Sequence, residues 1–164
     1  MAEAVKILVL SDSHGRKSIL SDIIAEHADV NEIVFLGDGE RDFEAALAEC
    51  NIAPYGNNTS VNVTQVKGNC DLFSREAVTL VREFGGVRFL ITHGYDQHVK
   101  RGLDELAAHA GAMNCRVALY GHTHIKKRTE KGGVVMINPG SAADGNYCVV
   151  EVTAEKAVQT SGDN

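Results

Sequence analysis

Short apolar runs that stop abruptly in Gly, Asp, Asn or His constrain this chain most. Val5 to Leu10 is apolar except at Lys6 and ends in Ser11-Asp12-Ser13-His14, as a strand buried on both faces would. Ser18 to His27 places Ile19, Leu20, Ile23 and Ile24 at helical spacing. Glu32 to Leu36 is a second buried strand stopped by Gly37-Asp38, and Asp42 to Cys50 reads as a helix through Phe43, Ala46 and Leu47. Strand, helix, strand, helix implies parallel pairing through right-handed crossovers.

The remaining chain is richer in strands. Asn51 to Ser60, with Pro54, Gly56 and Asn57-Asn58, reads as a loop, and Val61 to Lys67 as a third strand closing at Gly68-Asn69. Val78 to Phe84 and Val87 to Thr92 flank Gly85-Gly86, a hairpin signal. Val99 to Ala110 is expected to be helical and Arg116 to Tyr120 a strand ending in Gly121. Lys127 to Glu130, Val134 to Ile137 and Tyr147 to Val152 complete the strands, with turns at Gly132-Gly133 and Asn138-Pro139-Gly140. Residues 154–164 are expected to be a tail, frayed from Ser161 onward. The expectation is a single α/β domain over residues 1–164, two mixed sheets packed face to face with helices outside.

Composition narrows the function. The chain has 164 residues, 44% apolar and 23% charged, which suits one globular core. No apolar run is long enough to span a bilayer, and Met1 to Val5 has no basic n-region of a signal peptide, so the expected compartment is the cytoplasm. Cys50, Cys70, Cys115 and Cys148 form no CxxC pair and are expected to be reduced thiols. A net charge of -6 opposes binding of extended nucleic acid. It leaves room for a small phosphorylated substrate, because bound cations supply local positive charge. Whether the chain forms a homo-oligomer stays open.

Five polar clusters follow predicted strands: Asp12-Ser13-His14, Gly37-Asp38, Gly68-Asn69-Cys70-Asp71, His93-Gly94 and Gly121-His122-Thr123-His124. In open α/β sheets the ligand site forms beyond the carboxyl ends of the strands, so five end loops can meet at one place. Residues two apart in an extended segment point to the same side, which would make Asp12 with His14, and His122 with His124, paired claws. Carboxylate, amide oxygen and imidazole together suit divalent ions such as Mn²⁺, Fe²⁺ or Zn²⁺. A lone Asp after a strand is usually a turn or cap, and a lone His a surface or satisfied core residue; His27, His98 and His109 are read that way. Four of the seven histidines nevertheless fall in these clusters, each beside a turn glycine or another donor.

The ordered motifs D-x-H, G-D, G-N-x-D, H-G and G-H-x-H resemble the calcineurin-like metallophosphoesterase superfamily. Gly68-Asn69-Cys70-Asp71 and Asn138-Pro139-Gly140-Ser141 resemble its small YfcE-type phosphodiesterase branch. The resemblance spans about residues 5–153 and implies a four-layer α-β-β-α sandwich. It implies two divalent cations, Mn²⁺ first, with Fe²⁺, Zn²⁺ or Ni²⁺ as alternatives. One would be held by Asp12, His14, Asp38 and His124, the other by Asp38, Asn69, His93 and His122, with Asp38 bridging. It further implies hydrolysis of phosphodiesters, and some monoesters, by a metal-bridging water attacking phosphorus in line.

Two positions depart from the family pattern. Cys70 stands where many relatives carry a His suited to protonating the leaving group, and Tyr95 where relatives often carry a further His. Asp71 has two readings, a partner orienting His14 or a helix N-cap before Leu72. Arg16, Arg41 and the run Lys126-Lys127-Arg128 read first as surface, although each follows a metal motif. A competing function on the same fold is a non-catalytic, retromer-subunit-like protein-binding scaffold.

Overall fold

The structure, a computed structural model, describes residues 4–54 and 61–161. Among the described residues, ten strands form two five-stranded mixed sheets. The first contains β1 (Val5–Leu10), β2 (Glu32–Phe35), β3 (Asn62–Gln65), β9 (Cys148–Val152) and β10 (Val158–Ser161), ordered β10-β9-β1-β2-β3. The second contains β4 (Thr79–Phe84), β5 (Val87–Thr92), β6 (Val117–Leu119), β7 (Lys127–Lys131) and β8 (Val134–Asn138), ordered β4-β5-β6-β8-β7. Each sheet has three parallel strands, β1, β2 and β3 in one and β5, β6 and β8 in the other.

The parallel strands are apolar on both faces because both faces are covered. Ile7 and Val9 of β1 face a core shared with Phe89 and Ile91 of β5 and Val117 and Leu119 of β6. The alternate residues Leu8 and Leu10 pack against α1 (Lys17–Glu26) and α2 (Glu40–Glu49) through Leu20, Ile23, Phe43 and Leu47. Phe35 of β2 stacks on Phe43 of α2 with ring centroids 4.6 Å apart. On the far side, Leu90, Ala118 and Met136 meet Leu106 and Ala110 of α3 (Asp104–Ala112). The layers are therefore helix, sheet, sheet, helix, as the resemblance implies. No helix among the described residues is long and apolar enough to cross a membrane.

Both diglycine hairpins close as expected. Gly85-Gly86 have φ of +58° and +82°, and Gly132-Gly133 +59° and +80°, the left-handed pair that a tight two-residue hairpin requires. Two expectations change. The predicted helix from Val99 is a single 3-10 turn, Val99–Arg101, broken by Gly102 at φ +132°, and α3 starts only at Asp104. The predicted tail contains β10, whose Val158 to Ser161 pair antiparallel with Val152 to Val149. Its short, mostly polar sequence carries no signal without β9 beside it. Of the predicted loop at Asn51 to Ser60, residues 55–60 lie outside the described residues, as do 162–164 of the tail.

Candidate metal centre

The carboxyl ends of the parallel strands in both sheets deliver the chemistry. Asp12 and His14 follow β1, Asp38 follows β2, Asn69 lies beyond β3, His93 follows β5, and His122 and His124 follow β6. Among the described residues two donor groups result, Asp12 with His14 and His124, and Asp38 with His93 and His122. In the first group His14 Nε2 and His124 Nε2 lie 3.4 and 3.2 Å from Asp12 Oδ1, and 3.2 Å from each other. In the second, His93 Nε2 lies 3.1 Å from Asp38 Oδ2 and its ring meets His122 edge-on at 5.0 Å. Asp12 Oδ1 is also 3.8 Å from His93 Nε2, so the groups adjoin.

Asp12 and His14 share one group as expected, but the second claw is corrected. His122 and His124 part company, one to each group. Neither pair is extended: Asp12, His14, Asp38, His122 and His124 have φ of +56°, +42°, +63°, +71° and +64°. Left-handed backbone at non-glycine residues costs of order 1–3 kcal/mol each and persists where surrounding structure enforces it, commonly at functional sites. Here the enforcement is visible. Asp12 N–H bonds Gly37 O, and the Ser13 and His14 N–H groups bond Asp38 O, tying the first two loops together. A side chain on Gly68 would sit 2.1 Å from Asp38 Oδ1, and one on Gly121 2.2 Å from Ser11 Oγ. Both glycines are therefore required by close approach.

The electrostatics suit cation ligation. His93 Nδ1 is 2.7 Å from Leu36 O, so Nδ1 carries the ring proton and Nε2 presents its lone pair to the two carboxylates. Buried Asp12 Oδ1 and His93 Nε2 have no hydrogen-bond partner among the described residues, the condition expected of atoms meant for a metal. Burial opposes charge on the His93 ring, but Asp38 and Asp12 beside it outweigh burial and raise its pKa. A proton and a cation thus compete for one lone pair. Burial likewise pushes the Asp38 carboxyl up, yet the His93 ring, the Cys70 N–H and His14 hold it at about 2. His122 is lowered by burial, then by His93 and Lys100, which favours the neutral, ligating ring. Each group offers one carboxylate and two imidazoles, a donor set that fits borderline divalent ions.

The other expected residues fall as follows. Asn69 is exposed and lines a cavity with His93, Gly94 and Tyr95, its Nδ2 3.7 Å from Cys70 Sγ. The Cys70 thiol is exposed and pushed up by burial and by Asp38, so it stays protonated at neutral pH. Asp71 departs from both readings. Its carboxylate accepts from the N–H groups of Asp38, Gly39, Glu40 and Gly68 at 2.8, 2.9, 3.1 and 2.8 Å. It therefore caps α2 and fixes the Asp38 turn rather than orienting His14. Tyr95 lies edge-on to His122 at 5.5 Å. His27, His98 and His109 bond Ile23 O, Glu105 and Gln97, away from the centre. Arg128 reaches Val158 O and Thr160, joining the edges of the two sheets.

Ser11 and Asp42 were missed as supporting residues. Ser11 donates to Asp12 Oδ2 at 2.5 Å, and Asp42 accepts from Ser13 Oγ and Gly15 N–H, both at 2.7 Å. Ser141 donates to Asp12 O, while Asn138 Nδ2 bonds Gly121 O, so the turn after β8 braces both Asp12 and the His122 loop. A buried serine ending an apolar strand was the available signal for Ser11.

The layered fold and its two acid–imidazole groups define a sandwich protein able to hold divalent metal. Residues 5–155 match the calcineurin-like phosphoesterase superfamily domain, and the chain belongs to that superfamily. It is 32% identical over 138 residues to a probable metallophosphoesterase of Bacillus subtilis, covering 84% of this chain and 75% of that one. It is 30% identical over 145 residues to a phosphodiesterase of Methanocaldococcus jannaschii, covering 83% of each. Vacuolar protein sorting 29 of Cryptosporidium parvum shares the fold, with a TM-score of 0.73, 17% identity and 98% coverage of both chains.

Proposed function

We propose that this phosphoesterase hydrolyses phosphodiesters, and some monoesters, with two divalent cations. One would be held by Asp12, His14, His124 and Asp38, the other by Asp38, His93, His122 and Asn69, with the Asp38 carboxylate serving both. The observation that carries the reading is the pair of adjoining acid–imidazole groups whose buried Asp12 Oδ1 and His93 Nε2 lack hydrogen-bond partners among the described residues. Bound cations supply Lewis-acid neutralisation of phosphoryl oxygens and acidify water at neutral pH. Mn²⁺ is the first choice, with Fe²⁺, Zn²⁺ and Ni²⁺ compatible with the same donors.

The chain's own residues account for the rest. His14 and Asn69 lie at the exposed border of the centre, where a phosphoryl group would enter. His93 stays oriented through Leu36 O, and Asp38 through the Cys70 N–H at 2.8 Å. Cys70 offers a thiol where an imidazolium would protonate a departing alkoxide, so esters with good leaving groups are favoured. Diester preference is supported by the activity named for the archaeal relative. Four free cysteines fit a reducing, cytoplasmic setting.

A protein-binding scaffold on this fold has support from the likeness to vacuolar protein sorting 29, which concerns architecture alone. The complete donor set favours hydrolysis. Metal-stripped protein should be assayed on a bis-aryl phosphate before and after Mn²⁺ is added. Turnover restored by Mn²⁺ supports the proposal; bound metal with no turnover on any phosphate ester overturns it in favour of the scaffold.

A further inference from the structure

Next to the metal centre lies a cavity of about 450 Å³, within the range of small-molecule sites. His14, Asp38 and Cys70 wall it on the side of the centre, and Arg41, Leu72 and Phe73 also line it. Its acidic members are already engaged. Asp71 holds four backbone amides, Asp42 holds Ser13 and Gly15, and Glu40 accepts from Ser74. The lining offers Leu72 and Phe73 as apolar surface, with Arg41 as a cation among carboxylates that keep their charge.

Leu72 is 75% exposed and Phe73 98% exposed. Exposed apolar residues are ordinary when scattered singly, but these are adjacent and share a cavity with metal donors. Phe73 also has φ +65°, a conformation that strains a bulky side chain. The turn is held on both sides: Leu72 N–H bonds Cys70 O, Ser74 N–H bonds Asp71 O, and Asp71 is tied to the Asp38 turn. The chain thus fixes a strained aromatic residue in water with no packing gain of its own. A ligand group covering the ring would recover that loss.

We propose that Leu72 and Phe73 form a subsite for an aromatic ester group of the substrate, with Arg41 as its cationic wall. The inference rests on the phosphoesterase reading of the adjoining centre. An aromatic pair contributes about 0.5–1.5 kcal/mol beyond area burial, or roughly a 2- to 13-fold preference.

The test compares phenylphosphonate with methylphosphonate, which present one phosphonate to the cations and differ in the ring. Their dissociation constants are measured by calorimetry on the full, Mn²⁺-loaded chain, with diester hydrolysis followed separately. Wild type should bind the phenyl compound roughly 2- to 13-fold tighter. Phe73→Ser should bring that ratio close to one, and Phe73→Tyr should preserve it. Phe73→Gly, which also relieves the left-handed strain, should lose the ratio in a folded protein. Hydrolysis without phenyl preference in wild type, or a ratio undiminished in Phe73→Ser and Phe73→Gly, overturns the subsite alone. Absence of both hydrolysis and phosphonate binding overturns the phosphoesterase reading and the subsite with it. A dimer in sedimentation that Phe73→Ser converts to monomer assigns the ring to a second copy of the chain and overturns the subsite.

Discussion

Replacing Asp71 with alanine removes one acceptor from four backbone N–H groups at once, those of Asp38, Gly39, Glu40 and Gly68. Asp38 and Gly68 are buried, and a buried donor left unpaired costs about 1–3 kcal/mol. Gly39 and Glu40 are half-buried at the start of α2 and regain water, so together they contribute about 1 kcal/mol, the usual value of a lost cap. Water entering the loosened turn brings the total to the lower part of the sum, about 3 kcal/mol. At about 2–4 °C per kcal/mol for a chain of this size, Tm should fall by roughly 6–12 °C. The melt is followed by circular dichroism on metal-free protein, so that cation binding does not enter. Asp71→Asn should recover no more than half of the loss, because its NH₂ group would face two of the donors. Since the same turn carries Asp38, cation affinity should drop about 10- to 100-fold. A metal-free Tm shift below about 2 °C together with lost affinity would refute the backbone role and return Asp71 to a direct hold on a ligand such as His14.

Asp38→Ala should lower turnover more than about 100-fold, beyond the usual effect of a residue merely supporting a ligand, and leave less than two bound cations per chain. Elemental analysis decides it, and two stoichiometric metals with wild-type turnover would remove Asp38 from the centre. Chelation should abolish activity, and Mn²⁺ should restore it better than Mg²⁺, which prefers oxygen ligands and keeps its waters; full activity of metal-free protein would exclude a metal mechanism. Cys70→His should speed alkyl phosphodiesters, by up to roughly 10²–10⁴-fold if the ring reaches the leaving oxygen, and hardly affect nitrophenyl esters. Equal gains on both would place residue 70 away from the leaving group.

The legible parts were those with local causes. Continuous apolar runs read as doubly covered strands because parallel strands bury both faces, and Gly85-Gly86 and Gly132-Gly133 supply the positive φ of hairpin turns. The donor residues were legible because each ends a strand. β10 was not, since its half-buried Val158 and Thr160 gain their meaning only from pairing with β9. Asp71 was misread because three of its four partners lie in another loop, up to 33 positions away. Asp42 bonding Ser13 and Gly15 across 29 and 27 positions was invisible for the same reason.

The order and types of residue along the chain determined the alternation of strands and helices, the layered class of fold and the donor chemistry. Each depends on short-range periodicity, on turn-forming residues or on side-chain identity. Tertiary structure decided how the donors are shared out. His122 and His124 are two residues apart, yet they join different groups because left-handed turns at both re-aim the side chains away from the extended alternation. It also decided that Asp12 Oδ1 lies within 4 Å of histidines brought by β1, β5 and β6. Such an arrangement exists only after two sheets pack face to face. The packing free energy of the shared core is what holds buried carboxylates and imidazoles in strained turns against their own hydration.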